Sequence, residues 1–506
     1  MSLTDTSRQQ SNDKSFKKIS RKKSDTKKIR NTSTKGGSLT TQPNSKGEVY
    51  PQLEPAENYG LRAGILGPVE TLAQSVSAMA PSTSASLTIP LVFALAGNAT
   101  WFVYLLATLA TLLVGFCVSR FARLSASPGS LYSYTADTLP PIFGVTAAWA
   151  LLLAYLATGA SVAGGALYYA NLFAEEFAHA ALPPLPCLAV VCAAAGFIAY
   201  RDVKLSAELM LWIEVVSVSL IAIVLLILPI RFGFHLDMAQ FQLKGVNLAA
   251  LGPALVLSIF SFVGFESATT LGGEVRDPLR AIPRAVLQCA ILAGIFFMLC
   301  SYAEVLGFRG DSATLSQTTS PLHLLAAKAG FSPLGVAIDL GAFVSMFACV
   351  LACTTAAARV LMRMAHGALL PAALESISQR HRTPVTAVAV SAALMFAGVA
   401  ALAVRRATGS EMYDLLGSLS VLGFLTVYAL VAMALPFARK ARGQHSTMVV
   451  IVSGLTVAVM ILIAVFDLRS SSDPVHARIP YLYLLYIAAG LAWYGISRKK
   501  TAARAE

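Results

Sequence analysis

A single acidic side chain lies deep within one apolar segment of this sequence. Glu266 follows a stretch from 245 to 265 that contains no Asp, Glu, Lys or Arg, and the next charged residue after it is Glu274. If the segment spans a bilayer, an ionisable group at that depth costs roughly 2.5 kcal/mol or more. Because that cost is tolerated where the group faces a wet cavity or a solute path, Glu266 is a candidate for gating or proton transfer.

Small residues surround this carboxylate and favour an interrupted helix. Ser261, Gly264 and Ser267 allow helical hydrogen bonding to stop within the segment, and irregular backbone at membrane depth is tolerated where it lines a cavity. A charged stretch with two prolines follows at 274–284, before the next apolar run begins at Ala285. We therefore expect a broken helix here, followed by a short polar loop.

The residues from 264 to 284 resemble the amino acid-polyamine-organocation permeases. The sixth membrane helix of that family carries Gly-Phe-Glu or a similar triplet, followed by Glu-x-x-x-Pro-x-Arg-x-Ile-Pro. This sequence matches the pattern at Gly264-Phe265-Glu266, Glu274, Pro278, Arg280 and Ile282-Pro283-Arg284. Weaker matches extend the resemblance over residues 61 to about 440, at Gly129-Ser130-Leu131-Tyr132, His366-Gly367, Leu370-Pro371 and Arg382-Thr383-Pro384.

The resemblance implies a fold and a function. The fold is all-α, with twelve transmembrane helices, a leucine-transporter-like 5+5 inverted repeat and breaks in helices 1 and 6. The function is secondary active transport of amino acids or related amines by alternating access. Residues 61–440 would form the two inverted five-helix repeats, 441–497 would form helices 11 and 12, and 498–506 would be a cytoplasmic tail.

The composition is that of a polytopic membrane protein. Of 506 residues, 56% are hydrophobic and only 13% are charged, which lies outside the range of soluble globular proteins. The net charge of +13 does not indicate a nucleic acid partner, because 13 of the 39 Lys and Arg precede Gly64 in a polar, Ser- and Lys-rich opening. We expect residues 1–60 to be a disordered basic cytoplasmic tail.

Twelve apolar segments are each long enough, or nearly so, for the roughly 20 residues of a membrane-spanning helix. The loops that share a side with the amino terminus, together with the carboxy tail, carry 18 Lys and Arg, whereas the other loops carry 8. This asymmetry predicts a multi-pass protein of the plasma (inner) membrane with both termini cytoplasmic. The segments are 67–96, 99–119, 141–173, 185–200, 205–230, 249–275, 285–307, 333–358, 384–404, 412–437, 447–466 and 479–497.

The first segment carries an interruption of its own. Pro81 and the hydroxyl residues that follow it, at 82–84 and 86, stand in an otherwise apolar run, and proline removes a helical hydrogen bond. Aligning Leu66-Gly67-Pro68 with Leu251-Gly252-Pro253 places Pro81 opposite Glu266. Paired interruptions in two halves indicate the binding site of an inverted-repeat transporter, although a simple proline kink remains the alternative.

A broken helix offers free N–H groups at one new end and free carbonyls at the other, so it suits a zwitterion. The resemblance implies that the substrate carboxylate lies near Ser82, Thr83 and Ser84, and the amino group near the carbonyls around Ala78, Met79, Ser261 and Phe262. Phe260 and Phe262 would flank the substrate side chain. The resemblance assigns Tyr155, with Glu266, to gating or proton coupling, and Pro81 and Gly264 complete the predicted binding residues.

A proton is the expected coupling ion, but the sequence departs from proton-coupled relatives. Those relatives often carry a lysine along the fifth helix, whereas 205–230 has none and offers only Glu208 and Glu214 as charges. A second departure is Pro81–Ser84, which stands where the family commonly has Gly-Ser-Gly.

Several other functions stay open at the level of sequence. The same architecture serves other solutes, such as a nucleobase, a polyamine or an inorganic cation, and a non-transporting amino acid sensor is a further alternative. An enzyme is not expected, because the apolar segments hold no cluster of His, Asp and nucleophile. No cofactor or metal is expected either, so the predicted partners are a small-molecule substrate, the coupling ion and the lipid bilayer.

Overall fold

The structure is a computed structural model, and it describes residues 59–201, 203–232, 237–243, 246–247, 250–309, 315–318, 320–470 and 475–502. The chain divides into two units, Met1–Gln52 and Leu53–Glu506, of which the first lies wholly outside the described residues. The predicted tail at 1–60 therefore also lies outside them, apart from Tyr59 and Gly60. The ring of Tyr59, two residues before the predicted boundary at 61, packs edge-on against that of His366 with centroids 4.9 Å apart.

Helices form nearly all of the described chain, and within these ranges β-structure is limited to two isolated bridges. The α-helices, numbered in chain order, are α1 (Pro68–Met79), α2 (Pro81–Thr83), α3 (Ile89–Ala96), α4 (Thr100–Ala122), α5 (Ser130–Ala136), α6 (Pro141–Ala178), α7 (Pro184–Arg201), α8 (Val203–Phe232), α9 (Met238–Phe241), α10 (Leu251–Phe260), α11 (Pro278–Gly307), α12 (Pro321–Lys328), α13 (Ser332–His366), α14 (Val385–Val404), α15 (Gly409–Lys440), α16 (Thr447–Ser470) and α17 (Ile479–Ala502).

The helices account for the twelve predicted segments. Ten helical runs among the described residues are long and apolar enough to cross a membrane. One of them, Pro68–Ala122, contains two predicted segments, which are separated by a 3₁₀ turn at Gly97–Ala99. The sixth segment is the short apolar helix α10 followed by irregular backbone and a 3₁₀ turn at Ser267–Leu271. The chain is therefore an all-α, multi-pass membrane protein with interrupted first and sixth segments.

The polar loop expected at 274–284 is shorter than predicted. Helix α11 begins at Pro278, with Asp277 as its N-cap residue, and Pro283 lies inside the helix. Proline is favoured at the first helical position, where no intrahelical partner for its nitrogen is needed. The helix therefore starts about two turns before the apolar run, because its first residues need not be buried in the apolar layer.

The bundle has two opposite sides, called the Leu66 side and the Gly97 side after residues that lie on them. On the Leu66 side, the backbone of Leu66 pairs with that of Val275. On the opposite, Gly97 side, Arg309 donates to the side-chain amide oxygen of Asn98 at 2.8 Å. Helix α1 runs from the Leu66 side toward the bundle centre, and α10 enters the centre from the Gly97 side.

Close helix packing at the centre brings α6 and α15 together. A Cβ added at Gly423 of α15 would lie 2.7 Å from the carbonyl oxygen of Ala150 on α6, so only glycine permits this approach. Small residues of this kind allow close contact between membrane helices. This close approach also positions Tyr155 of α6 and Tyr428 of α15. Each of these tyrosines lies five residues after the contact in its own helix.

Candidate functional site

The break in the first segment is centred on one residue. Helix α1 ends at Met79, Ala80 adopts a left-handed conformation with φ of 48°, and α2 starts at Pro81. The backbone N–H groups of Ser82 and Thr83 donate to no backbone carbonyl in the described chain. The N–H group of Ser84 donates to the carbonyl of Ala80 at 3.2 Å. The break therefore leaves two free backbone donors, at Ser82 and Thr83, and the predicted third donor at Ser84 is occupied.

The break in the sixth segment replaces helical bonds with successive tight turns. After α10 ends, Phe262 donates to Ile259 at 2.9 Å and Phe265 donates to Phe262 at 3.2 Å, both across three residues. Gly264 has φ of +93°, which strongly favours glycine. Within the described ranges no backbone N–H donates to the carbonyl of Ser261, which therefore remains available as an acceptor.

The two breaks touch each other. A Cβ added at Gly264 would lie 2.8 Å from the carbonyl oxygen of Ala78, so the sixth segment packs directly against the end of α1. Beyond this contact, the Ser267 hydroxyl donates to the Gln74 carbonyl at 2.9 Å, and the backbone N–H of Ala268 donates to the Ser75 hydroxyl at 3.1 Å. The paired interruptions predicted from the register are both present and adjacent.

Glu266 is fully buried on the Leu66 side of the sixth-segment break. The Tyr155 hydroxyl donates to its Oε1 at 3.0 Å, and the Tyr428 hydroxyl donates to its Oε2 at 2.6 Å. The rings of Phe424 and Phe265 pack against these tyrosines at 5.3 and 5.7 Å. Tyr155, which was assigned with Glu266 to gating or proton coupling, thus bonds it directly, and Tyr428 is a second partner that sequence reasoning missed.

Of the two carboxylates predicted on the fifth helix, only one faces the breaks. Glu208 is half exposed and forms an ion pair with Lys204 at 3.6 Å. Glu214 is buried, accepts from the Ser345 hydroxyl at 2.6 Å, and lies beside the Ser82 hydroxyl. Its second oxygen has no hydrogen-bond partner in the described part of the chain. A buried carboxyl group therefore stands next to the free donors of the first break.

The two candidate aromatic residues, Phe260 and Phe262, point to different neighbours. Phe260 packs against Tyr413 of α15 with ring centroids 5.4 Å apart, and the Tyr413 hydroxyl bonds that of Thr88 at 2.8 Å. These residues also line a small cavity on the Gly97 side, together with Leu91, Val256, Leu257, Asp414, Ser418 and Val421. Phe262 packs edge-on against Phe297 of α11 at 5.1 Å. Phe260 thus packs against α15 on the Gly97 side of the breaks.

A buried ion pair closes the Leu66 side. Arg359 of α13 donates to both oxygens of Glu274, at 2.7 and 2.8 Å, and both side chains are almost fully buried. The backbone of Leu66 bonds Glu274 at 3.2 Å and Arg276 at 2.9 Å. This two-point pairing is strongly directional, so it fixes the ends of the first and sixth segments to α13.

We expect Arg359→Ala to lower the free energy of unfolding by about 3–5 kcal/mol, because it leaves the Glu274 carboxylate buried and unpaired. The double variant Arg359→Met/Glu274→Gln should recover most of that loss. The measurement is the unfolding midpoint of the purified protein in detergent. Arg280→Ala is the control, since Arg280 pairs with Asp277 at 3.8 Å on the surface, with 79% of its side chain exposed. A midpoint for Arg359→Ala equal to that of Arg280→Ala would contradict the expectation.

Comparison with known proteins places this geometry in a family. The family model "Amino acid permease" matches residues 76–494. The branched-chain amino acid permease BcaP of Bacillus subtilis is 23% identical over 356 residues, which cover 67% of this chain and 73% of that protein. The low-affinity putrescine importer PlaP of Escherichia coli is 27% identical over 297 residues, which cover 56% of this chain and 62% of that protein.

A comparison of structures supports the same fold. A manganese transporter of Eremococcus coleocola, solved in a mutant form, aligns with a TM-score of 0.53 and 12% identity, and covers 85% of this chain and 93% of that one. At this identity the likeness shows the fold alone. The fold is the leucine-transporter-like one, in which two inverted repeats of five helices place their broken first helices side by side, as α1–α3 and α10 with its following turns do here.

Proposed function

The chain belongs to the amino acid permease family, and on that premise we propose that it carries an amino acid or a related amine across the plasma membrane by alternating access. The observation that carries the proposal is the contact between the two breaks. Two free backbone donors at Ser82 and Thr83 and a free acceptor at Ser261 lie at these breaks. Backbone groups freed in this way are the usual ligands of substrate in broken-helix transporters.

The polarity of these groups suits the zwitterionic end of an amino acid. The N–H groups at the start of α2 carry partial positive charge and favour a carboxylate. The free carbonyl of Ser261, with that of Met79 at the end of α1, carries partial negative charge and favours an ammonium group. A substrate bound here would therefore join the two repeats at their centre.

The orientation follows from the distribution of positive charge. The excess of Lys and Arg in the loops on the Leu66 side favours a cytoplasmic location for that side and for both termini. Glu266, with its two tyrosines, then lies between the breaks and the cytoplasm, and Phe260 with Tyr413 lies between the breaks and the outside. We infer that these two clusters are the inner and outer gates.

We infer that the coupling ion is a proton held at a buried carboxyl group. Glu266 accepts two hydroxyl donors, so loss of its charge would weaken the bonds to Tyr155 and Tyr428 that join α6 and α15. Protonation would thus be linked to opening of the inner gate. Glu214, beside Ser82, is a second group at which a proton can be linked to substrate binding.

Uptake by the purified full-length protein in proteoliposomes tests the proposal. A panel of labelled amino acids and amines, assayed at pH 5.5 and 7.5 with and without sodium, should reveal at least one substrate. Uptake should be faster with an inward proton gradient and insensitive to sodium. Sodium-dependent uptake would refute proton coupling alone, whereas no uptake of any amino acid or amine would refute the proposed function.

A further inference from the structure

One buried carboxylate has no partner among the residues that the structure describes. Glu304 lies on α11, one turn before the helix ends at Gly307, and its side chain has no exposed surface. In the described part of the molecule, neither carboxylate oxygen has a hydrogen-bond partner and no Lys, Arg or His forms an ion pair with it. It differs from Glu266, Glu274 and Glu214, each of which accepts from at least one side chain.

This arrangement calls for a partner that the described residues do not supply. A buried ionised carboxylate without a counter-charge is strongly unfavourable, and even a neutral carboxyl group has a donor and acceptors to satisfy. Buried polar groups that lack a partner are rare in native proteins, and each calls for a bound water, ion or ligand. Glu304 is therefore poised to receive a group that carries hydrogen-bond donors.

Buried hydroxyls near the first break also lack a hydrogen-bond partner among the described residues. Two of them belong to Thr83 of α2 and to Ser86 in the π-helical turn Ser84–Thr88 that follows it. The hydroxyl of Tyr169 lies beside that of Ser86, also without a hydrogen bond of good geometry, and near Glu304. Unsatisfied polar groups therefore lie both at the first break and close to this carboxylate.

The second break is connected to the same carboxylate. The Tyr104 hydroxyl bonds that of Ser261 at 3.1 Å and lies within Coulombic range of Glu304. Cys300, one turn earlier on α11, is a further neighbour of the carboxylate. Tyr169 and Tyr104, which lie beside Ser86 and Ser261, are therefore both neighbours of Glu304, which stands toward the Gly97 side.

We propose that Glu304 binds the distal cationic group of the transported substrate, so that the substrate is a basic amino acid or a diamine. This inference rests on the proposed function, since it assigns one end of the substrate to the breaks. A carboxylate surrounded by hydroxyls binds an ammonium or guanidinium group by charge-assisted hydrogen bonds. A neutral side chain of the same length could donate hydrogen bonds but would leave the negative charge of Glu304 uncompensated, so the site would bind it more weakly.

Arginine and citrulline provide a matched pair of probes, because they share length and shape and differ in the charge of the terminal group. Uptake of labelled arginine and of labelled citrulline is measured with the full-length protein in proteoliposomes, and putrescine is tested as a competitor. We expect wild type to prefer arginine, and Glu304→Gln to raise the KM for arginine roughly 30-fold or more while leaving that for citrulline within a small factor.

Two further variants keep the test interpretable. Glu176→Gln removes an exposed carboxylate on the same side of the bundle and should leave the preference unchanged, which excludes a general effect of surface charge. Glu304→Asp retains the charge and should keep the preference for arginine even if Glu304→Gln folds poorly. If putrescine competes with arginine for uptake, the substrate class includes diamines. If putrescine does not compete, the class is restricted to basic amino acids.

Four outcomes count against the inference. Equal KM values for arginine and citrulline in wild type would overturn it, as would a preference for arginine that survives in Glu304→Gln. Uptake of leucine but not of arginine would overturn it and leave the proposed function standing. Absence of any uptake would overturn the proposed function, and this inference with it.

Discussion

Gly264→Ala is expected to abolish uptake. The added Cβ would lie 2.8 Å from the carbonyl oxygen and 2.9 Å from the carbonyl carbon of Ala78, and neither atom can move without reshaping the end of α1. The backbone at φ of +93° adds strain for any L side chain, of about 1–2 kcal/mol. Because the carbonyls at this break are the proposed acceptors for the substrate amine, displacement of the two segments should disrupt binding directly.

Uptake of the best substrate from the panel, together with the unfolding midpoint, measures the effect. We expect a loss of uptake of about 100-fold and a destabilisation of about 2–4 kcal/mol, the sum of strain and overpacking. Gly273→Ala is the control, since its added Cβ would meet only the flexible side chain of Leu61, at 3.5 Å. Wild-type uptake by Gly264→Ala would show that close contact between the breaks is not required for transport.

Glu266→Gln should remove the dependence of uptake on pH. The amide keeps the shape of the carboxyl group but cannot take up or release a proton, and its NH₂ group is a donor where the carboxylate accepted. One of the two tyrosine hydroxyls must then accept a hydrogen bond from the amide instead of donating one. We therefore expect slow uptake that no longer responds to a proton gradient, while substrate exchange between equal pH values persists.

The initial rate of uptake between pH 5.5 and 8 measures this effect. Tyr155→Phe is the companion variant, because it removes one hydroxyl donor, at 3.0 Å from Oε1, and leaves the carboxyl group in place. It should lower the rate and retain the pH response. If Glu266→Gln transports with unchanged rate and pH profile, Glu266 acts neither in the gate nor in proton coupling.

The helices were predictable because apolar length is a local property. Most predicted segments correspond to a helix or an interrupted helix within a few residues. The exceptions are α11, which starts early at Pro278, and α6, α13 and α17, which continue to Ala178, His366 and Ala502, five to eight residues beyond the predicted ends at 173, 358 and 497. Helix ends depend on capping and on local contacts, which an apolar pattern does not determine. The isolation of Glu266 and the alignment of Pro81 with it were likewise local signals, and they led to the two breaks.

The partners of the site residues were less predictable. Tyr428 lies 162 residues from Glu266 in sequence, and nothing distinguishes it from other tyrosines in apolar segments. Arg359 directly follows the predicted segment 333–358, and its pairing with Glu274 depends on how α13 packs. Glu304 did carry a signal, because it is the one charged residue in the predicted segment 285–307. Because Glu304 lies only three residues before the predicted end of this segment, the sequence did not show that it is buried.

Substrate-dependent stabilisation of Ser82→Leu shows whether the paired breaks bind the substrate. A ligand that binds only the folded state raises stability with its concentration, by about 2.7 kcal/mol at 100 times Kd. Each variant is compared with its own ligand-free midpoint, and Ser219→Leu, the same substitution at an exposed position of α8, is the control. We expect substrate to raise the midpoint of wild type and of Ser219→Leu but not that of Ser82→Leu. An equal rise in all three proteins would contradict it and place the substrate site away from the breaks.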